Sequence, residues 1–197
     1  SLLVAHELIK SRADILVQNL AKWGTNNTVV TNNDPSRYSE LENFFDVIVV
    51  DAPCSGSGLF RKQPAAIDEW SEDAVKACSI RQKKILEDVL PALKPQGILV
   101  YSTCSYSVEE NETVVKWLCE NHNMEYLPLR VPREWGIVET EAGYRFYPHL
   151  TYSEGFFCAV LRKKAHEPPQ NNRRKKTDQE VSKTDKLILA PFLADNH

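Results

Sequence analysis

Two cysteines stand where a thiol could do chemistry. Cys54 closes Asp51-Ala52-Pro53-Cys54, directly after the apolar run Asp46–Val50. Cys104 lies in Ser102-Thr103-Cys104-Ser105, directly after the apolar run Ile98–Ser102. A thiol in a strand-end loop facing a polar pocket becomes a strong nucleophile when a neighbour depresses its pKa or takes its proton. Each loop also has a plainer reading. Asp51 can cap local amides in a βα turn with Cys54 merely small, and Cys104 can be a packing residue, since free cysteine is often buried. Together the loops say more, because consecutive strands that are neighbours bring both thiols to one pocket. Two further acids close strands. Glu7 in isolation reads as an acid opening a helix, favourable with its dipole, and Asp34-Pro35 as an ordinary turn. Arg61 and Lys62 read equally as phosphate contacts or as a solvated loop.

The elements that must position these groups alternate. Leu2–Ala5, Thr28–Thr31, Asp46–Val50 and Ile98–Ser102 are short apolar or β-branched runs that predict strands. Apolar spacing over Ile9–Trp23, closed by Gly24, predicts a helix. Ser71 predicts the N-cap of a long helix over Asp73–Leu93, and Lys94-Pro95-Gln96-Gly97 a tight turn. Ser107 with Glu110 has capping-box spacing before a helix to about Glu120. Met124–Leu127 and Gly155–Arg162 predict two last strands. This alternation predicts an α/β doubly wound sheet, in which ligands sit at the carboxyl ends of the strands. Glu7, Asp34, Asp51 and Cys104 all fall there.

The chain has 197 residues, 42% hydrophobic, with formal net charge -3. That length suits one α/β core with short tails. Five cysteines, an odd number without a CxxC pair, argue against a disulfide framework or a zinc site and for a reducing, cytoplasmic setting. Apolar runs fall short of the roughly 20 residues of a membrane span. We therefore expect no metal and no membrane partner. Residues 1–163 read as the folded domain, 164–186 as a polar, basic linker around Arg173-Arg174-Lys175-Lys176, and 187–197 as the start of a further domain. Cys78 and Cys119 fall in helices and Cys158 in a strand, so all three are expected to be structural.

The segments Asp51-Ala52-Pro53-Cys54-Ser55-Gly56-Ser57-Gly58-Leu59-Phe60-Arg61-Lys62 and Tyr101-Ser102-Thr103-Cys104-Ser105-Tyr106-Ser107-Val108-Glu109-Glu110-Asn111 closely resemble the two cysteine signatures of the Sun/nucleolar-protein family of RNA cytosine-C5 methyltransferases. The resemblance extends over roughly residues 1 to 163, through Trp70-Ser71, Arg81-Gln82, Arg145-Phe146-Tyr147-Pro148-His149 and Gly155-Phe156-Phe157. Leu59-Phe60-Arg61-Lys62 and Asn32-Asn33-Asp34 look most like the bacterial RsmF-like branch, which acts on 16S ribosomal RNA.

The resemblance implies a Rossmann-like class I methyltransferase sheet, S-adenosyl-L-methionine as cofactor and RNA as substrate. It implies Cys104 as nucleophile and Cys54 as the cysteine that helps release the methylated product. Glu7 matches the acid that binds the cofactor ribose, Asp34 the residue beside the adenine, and Asp51 the aspartate near cofactor and target base. Three alternatives stay open: a transfer-RNA substrate, an amino-methyltransferase, and a non-catalytic RNA-binding module that kept the fold. The second is opposed by Pro53-Cys54 and by Cys104, because such enzymes replace the thiol with an Asn/Asp-Pro-Pro-Tyr loop. The chain departs from the family in lacking the first strand and the glycine-rich cofactor loop. We therefore expect a gap in the sheet between the strands at Leu2–Ala5 and Asp46–Val50, and a 197-residue chain that by itself binds cofactor poorly and is inactive. His6, where the branch usually has Asn, and Gln96, where Gly is commoner, are smaller departures.

Overall fold

The structure, a computed structural model, describes residues 1–165. The expected linker and further domain lie outside the described residues from position 166 onward. The chain runs β1 (Leu3–His6), α1 (Lys10–Trp23), β2 (Thr28–Thr31), β3 (Phe45–Asp51), α2 (Ala65–Glu69), α3 (Glu72–Val89), β4 (Leu93–Thr103), α4 (Glu112–Asn121), β5 (Met124–Tyr126), β6 (Val138–Glu139), β7 (Tyr144–Phe146) and β8 (Phe156–Lys163). No described helix is long and apolar enough to cross a membrane.

Local chemistry accounts for the helix ends. Gly24 takes φ 76° after α1 and its N–H donates to the Leu20 carbonyl at 3.2 Å; a left-handed closing residue suits glycine, which has no Cβ to clash. Ser71 accepts from the Ala74 N–H at 3.1 Å, and Glu72 and Asp73 sit in the first turn of α3, where negative charge favours the helix dipole. That helix ends at Val89, four residues before the expected Leu93. Pro91 lacks the N–H that another turn needs, so Leu90–Ala92 tightens into a 3-10 turn that feeds β4 directly.

The expected turn at Lys94–Gly97 lies inside β4, as a bulge. Phe45 pairs with Leu93, yet Val47 pairs with Ile98, so β4 throws out extra residues between them. Gln96 sits there at φ 65°, a conformation that favours glycine. The Ser107–Glu110 capping box does not form: the Ser107 side chain caps nothing, and α4 starts only at Glu112. The Glu110 carboxylate goes elsewhere, as described below.

β1 and β2 pair in parallel. β3 and β4 pair in parallel, and β8 runs antiparallel to β4. The larger sheet has order β3-β4-β8-β7-β6, with β5 also on β8. The doubly wound reading thus holds for the parallel strands, while the distal half is an antiparallel meander. Strands β6 and β7, with two and three residues, are too short to leave a period in the sequence. Among the described residues no strand lies between β1 and β3, which is the gap expected above. Leu86, Leu99, Tyr101, Val114, Leu118, Phe157 and Leu161 form the core, with Ile48 and Val50 packed against it. On the opposite face of β3, Val47 is 54% and Val49 67% exposed.

Candidate active site

Asp51 pairs with Ser102 across β3 and β4. The two strands are parallel neighbours, so their loops leave the sheet side by side at its carboxyl edge. Backbone bonds then tie loop to loop. The Ala52 N–H donates to the Ser102 carbonyl at 2.9 Å, and the Gly58 N–H to the Cys104 carbonyl at 2.9 Å. The Gly155 N–H donates to the Gly58 carbonyl at 3.0 Å, adding the approach to β8. A Cβ on Gly58 would lie 2.2 Å from the Gly155 oxygen and 2.7 Å from the Cys104 oxygen. Only glycine fits that approach.

The result is a thiol pair. Cys54 Sγ and Cys104 Sγ are 2.7 Å apart, both half-buried. Side chains hold each loop from behind. Gln82 Nε2, on α3, donates to the Pro53 carbonyl at 2.9 Å. Thr103 Oγ1 donates to Asn111 Oδ1 at 2.6 Å, and Asn111 Nδ2 donates to the Ser105 carbonyl at 2.8 Å. The Tyr106 N–H donates to Ser57 Oγ at 2.8 Å. The Glu110 carboxylate accepts from the Ser55 N–H and Oγ and from Ser105 Oγ, so one side chain touches both loops.

Electrostatics separates the two sulfurs. A hydrogen bond from the Cys54 thiol holds Cys104 below the ordinary thiol range. The same bond, followed by burial, pushes Cys54 far up. Burial raises Cys78, Cys119 and Cys158 as well. Cys104 alone among the five cysteines is shifted toward thiolate. A thiolate stabilised by a donated S–H is the form that attacks carbon.

Of the other expected site residues, Glu7, Asp34 and Asp51 follow or close β1, β2 and β3, while Arg61 and Lys62 lie in the segment between β3 and α2. Asp51 is exposed and its Oδ1 accepts from Ser102 Oγ at 3.1 Å. Glu7 accepts from the Ile9 N–H at 2.9 Å and pairs with Arg12 at 3.0 Å, so its carboxylate lies against the start of α1 from outside the helix. Asp34 caps the Pro35–Glu40 turn, and both of its bonds from Ser36 fall on Oδ1, holding the carboxyl below the usual range. Arg61 donates to Glu154 at 2.9 Å and to the Ser153 carbonyl at 3.1 Å while staying 59% exposed, and Lys62 beside it is exposed. Among the described residues no group of His, Cys, Asp and Glu is arranged to hold a metal ion.

Sequence reasoning missed the supports. Arg145, on β7, makes a two-bond pair with Glu112 at 2.6 and 2.5 Å and donates to the Tyr106 carbonyl at 2.9 Å. Both side chains are nearly inaccessible, at 9% and 8%. The signal available was Arg145 in the segment Arg145-Phe146-Tyr147-Pro148-His149, but in a strand that buries both Tyr144 and Arg145 no alternation marks it as an inward charge. Tyr106 stacks on Tyr147 with ring centroids 5.7 Å apart.

Residues 1–162 match the family described as 16S rRNA methyltransferase RsmB/F. Ribosomal RNA small subunit methyltransferase F of Pectobacterium atrosepticum is 36% identical over 176 residues, covering 85% of this chain and 36% of that protein. The protein of the same description from Salmonella arizonae is 39% identical over 166 residues, covering 82% of this chain and 35% of that protein. The chain therefore spans about a third of the length of the curated relatives it matches. Among solved structures, NSun6 from Pyrococcus horikoshii with SFG superposes with TM-score 0.72 at 28% identity, over 83% of this chain and 41% of that one. A methyltransferase homolog protein from Pyrococcus horikoshii superposes with TM-score 0.70 at 33% identity, over 83% and 53%.

Proposed function

The chain belongs to the RsmB/F family of 16S rRNA methyltransferases, and from that membership we propose that it is the catalytic part of an S-adenosyl-L-methionine-dependent RNA cytosine-C5 methyltransferase acting on small-subunit ribosomal RNA. The observation that carries the cytosine chemistry is the thiol pair, with Cys104 pushed toward thiolate by Cys54.

The residues at the strand ends fit the cofactor. Glu7, Asp34 and Asp51 are hydrogen-bond acceptors at the carboxyl ends of β1, β2 and β3, where open α/β sheets bind ligands. Glu7 would take ribose hydroxyls, Asp34, with Oδ2 left over, the adenine amine, and Asp51 the end nearest the target base. When bound, the cofactor supplies an electrophilic methyl group on a sulfonium.

C5 of cytosine is a poor nucleophile, and Cys104 changes that. Its thiolate adds to C6 and raises electron density at C5, dividing one hard step into easier ones. Asp51 stands beside the thiols to hydrogen-bond N3 and steady the adduct. The C5 proton must leave before Cys104 can be expelled. Once Cys104 Sγ is bonded to carbon, no neighbouring thiolate holds Cys54 protonated; Cys54 gives its own proton to water, and the thiolate so formed takes the C5 proton. A paired target must first be turned out of its stack. Arg61 and Lys62, on the rim, would meet phosphate. Two free thiols in contact call for a reducing cytoplasmic setting.

The test is a covalent trap on the protein at its full natural length. RNA carrying 5-fluorocytosine keeps its adduct because no C5 proton can be removed. The adduct should form with the native protein and disappear in Cys104→Ala. Cys54→Ala should instead accumulate adduct on ordinary RNA. A protein that modifies RNA with both cysteines replaced would refute the covalent reading.

A further inference from the structure

Glu110 is fully buried, yet among the described residues no cation pairs with it. Its partners are all neutral donors: the Ser55 N–H at 2.8 Å, Ser55 Oγ at 2.6 Å, Ser105 Oγ at 2.6 Å and Gln82 Nε2 at 3.3 Å. Ser55 follows Cys54 and Ser105 follows Cys104. The carboxylate therefore grips the residue next to each thiol, one on each loop. Its own backbone is fixed as well, since Tyr101 Oη, on β4, donates to the Glu110 carbonyl at 2.6 Å. Burying a carboxylate is costly unless its lone pairs are filled; here each oxygen takes two donors or their equivalent. A side chain meant only to start α4 would point outward to water.

We propose that Glu110 is a positioning residue whose carboxylate, by bridging Ser55 and Ser105, sets the distance between the Cys54 and Cys104 sulfurs. The proposal rests on the reading of those two thiols as the reactive pair. Hydrogen bonds from sulfur are short-ranged, so a loop displacement of about an ångström would remove the stabilisation of the Cys104 thiolate. The groups acting on Cys104 are Cys54 from the loop after β3, Asp51 at the end of β3, and Glu110 itself. Cys78, on α3, also feels the Cys104 charge. The direct charge effect of Glu110 on Cys104 is upward. Losing that charge alone would make Cys104 more acidic. Losing the grip would make it less acidic, so the two roles shift the thiol in opposite directions.

The experiment measures iodoacetamide alkylation of each cysteine against pH by peptide mass spectrometry, in the protein at its full natural length. Glu110→Ala should raise the Cys104 midpoint by about one pH unit, a tenfold loss of thiolate near neutrality. Glu110→Asp keeps the charge but shortens the reach, and should raise it too. Glu110→Gln keeps the reach, with the Ser55 and Ser105 hydroxyls, which share one carboxylate oxygen, both turning to accept from the amide, and should restore the native midpoint or lower it. Cys158, half-buried in β8, must stay as protected as in the native protein, which separates the effect from unfolding. Should Glu110→Ala fail to fold, Ser55→Ala with Ser105→Ala removes the two bridging hydroxyls and is expected to raise the midpoint likewise. A midpoint that stays or falls in the folded Ala and Asp variants overturns the positioning role. A native Cys104 no more reactive than Cys119 overturns the thiol-pair reading, and with it this proposal.

Discussion

At the scale of single residues, the two sulfurs differ in what surrounds them rather than in what they are. Cys104 is the sulfur shifted toward thiolate, which makes Cys54 the donor between them and the more costly of the two to ionise. Removing the donor should therefore be felt at the other thiol. A hydrogen bond to a charged group contributes about 1.5–3 kcal/mol, and about 1.4 kcal/mol is one pH unit. A lowered pKa keeps thiolate present at lower pH, so in Cys54→Ala the alkylation curve of Cys104 should move to higher pH by about one to two units. A pH titration of the Cys104 labelling rate checks this. The same variant attacks RNA more slowly and releases it more slowly still, which is why adduct accumulates. Sequence alone marked both cysteines and the strand-end acids Glu7, Asp34 and Asp51. It could not say that the two thiols meet, because that is decided by contacts between residues 50 positions apart.

At the scale of elements, the loops after β3 and β4 work as one piece. Their parallel pairing sets them side by side, and Gly58 closes the approach with a backbone bond to Cys104. Gly58→Ala would press a methyl into two carbonyl oxygens. The loops must then part, at a cost of about 1–3 kcal/mol in stability. Activity should fall much further than stability, by roughly a hundredfold, because a displacement of about 1 Å at reacting atoms has that effect. Denaturant unfolding compared with single-turnover methylation distinguishes the two losses. The strands and long helices were legible, because β1, β2, β3 and α3 carry periods or caps of their own. The bulge at Lys94–Gly97 was read as a turn between elements. Turn residues mark a change of direction but not whether pairing resumes on the far side. Glu110 was read as a cap because capping-box spacing is local, whereas its partners Ser55 and Gln82 come from distant segments.

At the scale of the whole molecule, the antiparallel meander supports the site from behind. Arg145 joins β7 to α4 and to the carbonyl of Tyr106, two residues beyond Cys104. Arg145→Met strands the buried Glu112 carboxylate and should destabilise the protein by about 3–5 kcal/mol. Adding Glu112→Leu should recover most of that, as a double-mutant cycle by thermal or denaturant unfolding would show. The open edges of β1 and β3 bear on the isolated chain. With no partner strand between them among the described residues, no strand ladder ties Glu7 to the thiol loops, and Asp34 is held toward them only through the Pro35–Glu40 turn packed on α3. The 197-residue chain alone should bind S-adenosyl-L-methionine weakly and transfer no methyl group. Calorimetric titration with the cofactor, and tritium transfer to RNA, test the two parts of that expectation.

The amino-acid sequence by itself determined the α/β alternation, the ends of the parallel strands and the residue types gathered there. These follow from side-chain period, turn chemistry and caps, which act over a few positions. Tertiary structure alone decided the 2.7 Å meeting of two thiols, the buried carboxylate behind them and the Arg145–Glu112 support. Those contacts depend on strand register and on which loops emerge together, and a desolvated hydrogen bond has strength only once distant segments have excluded water around it.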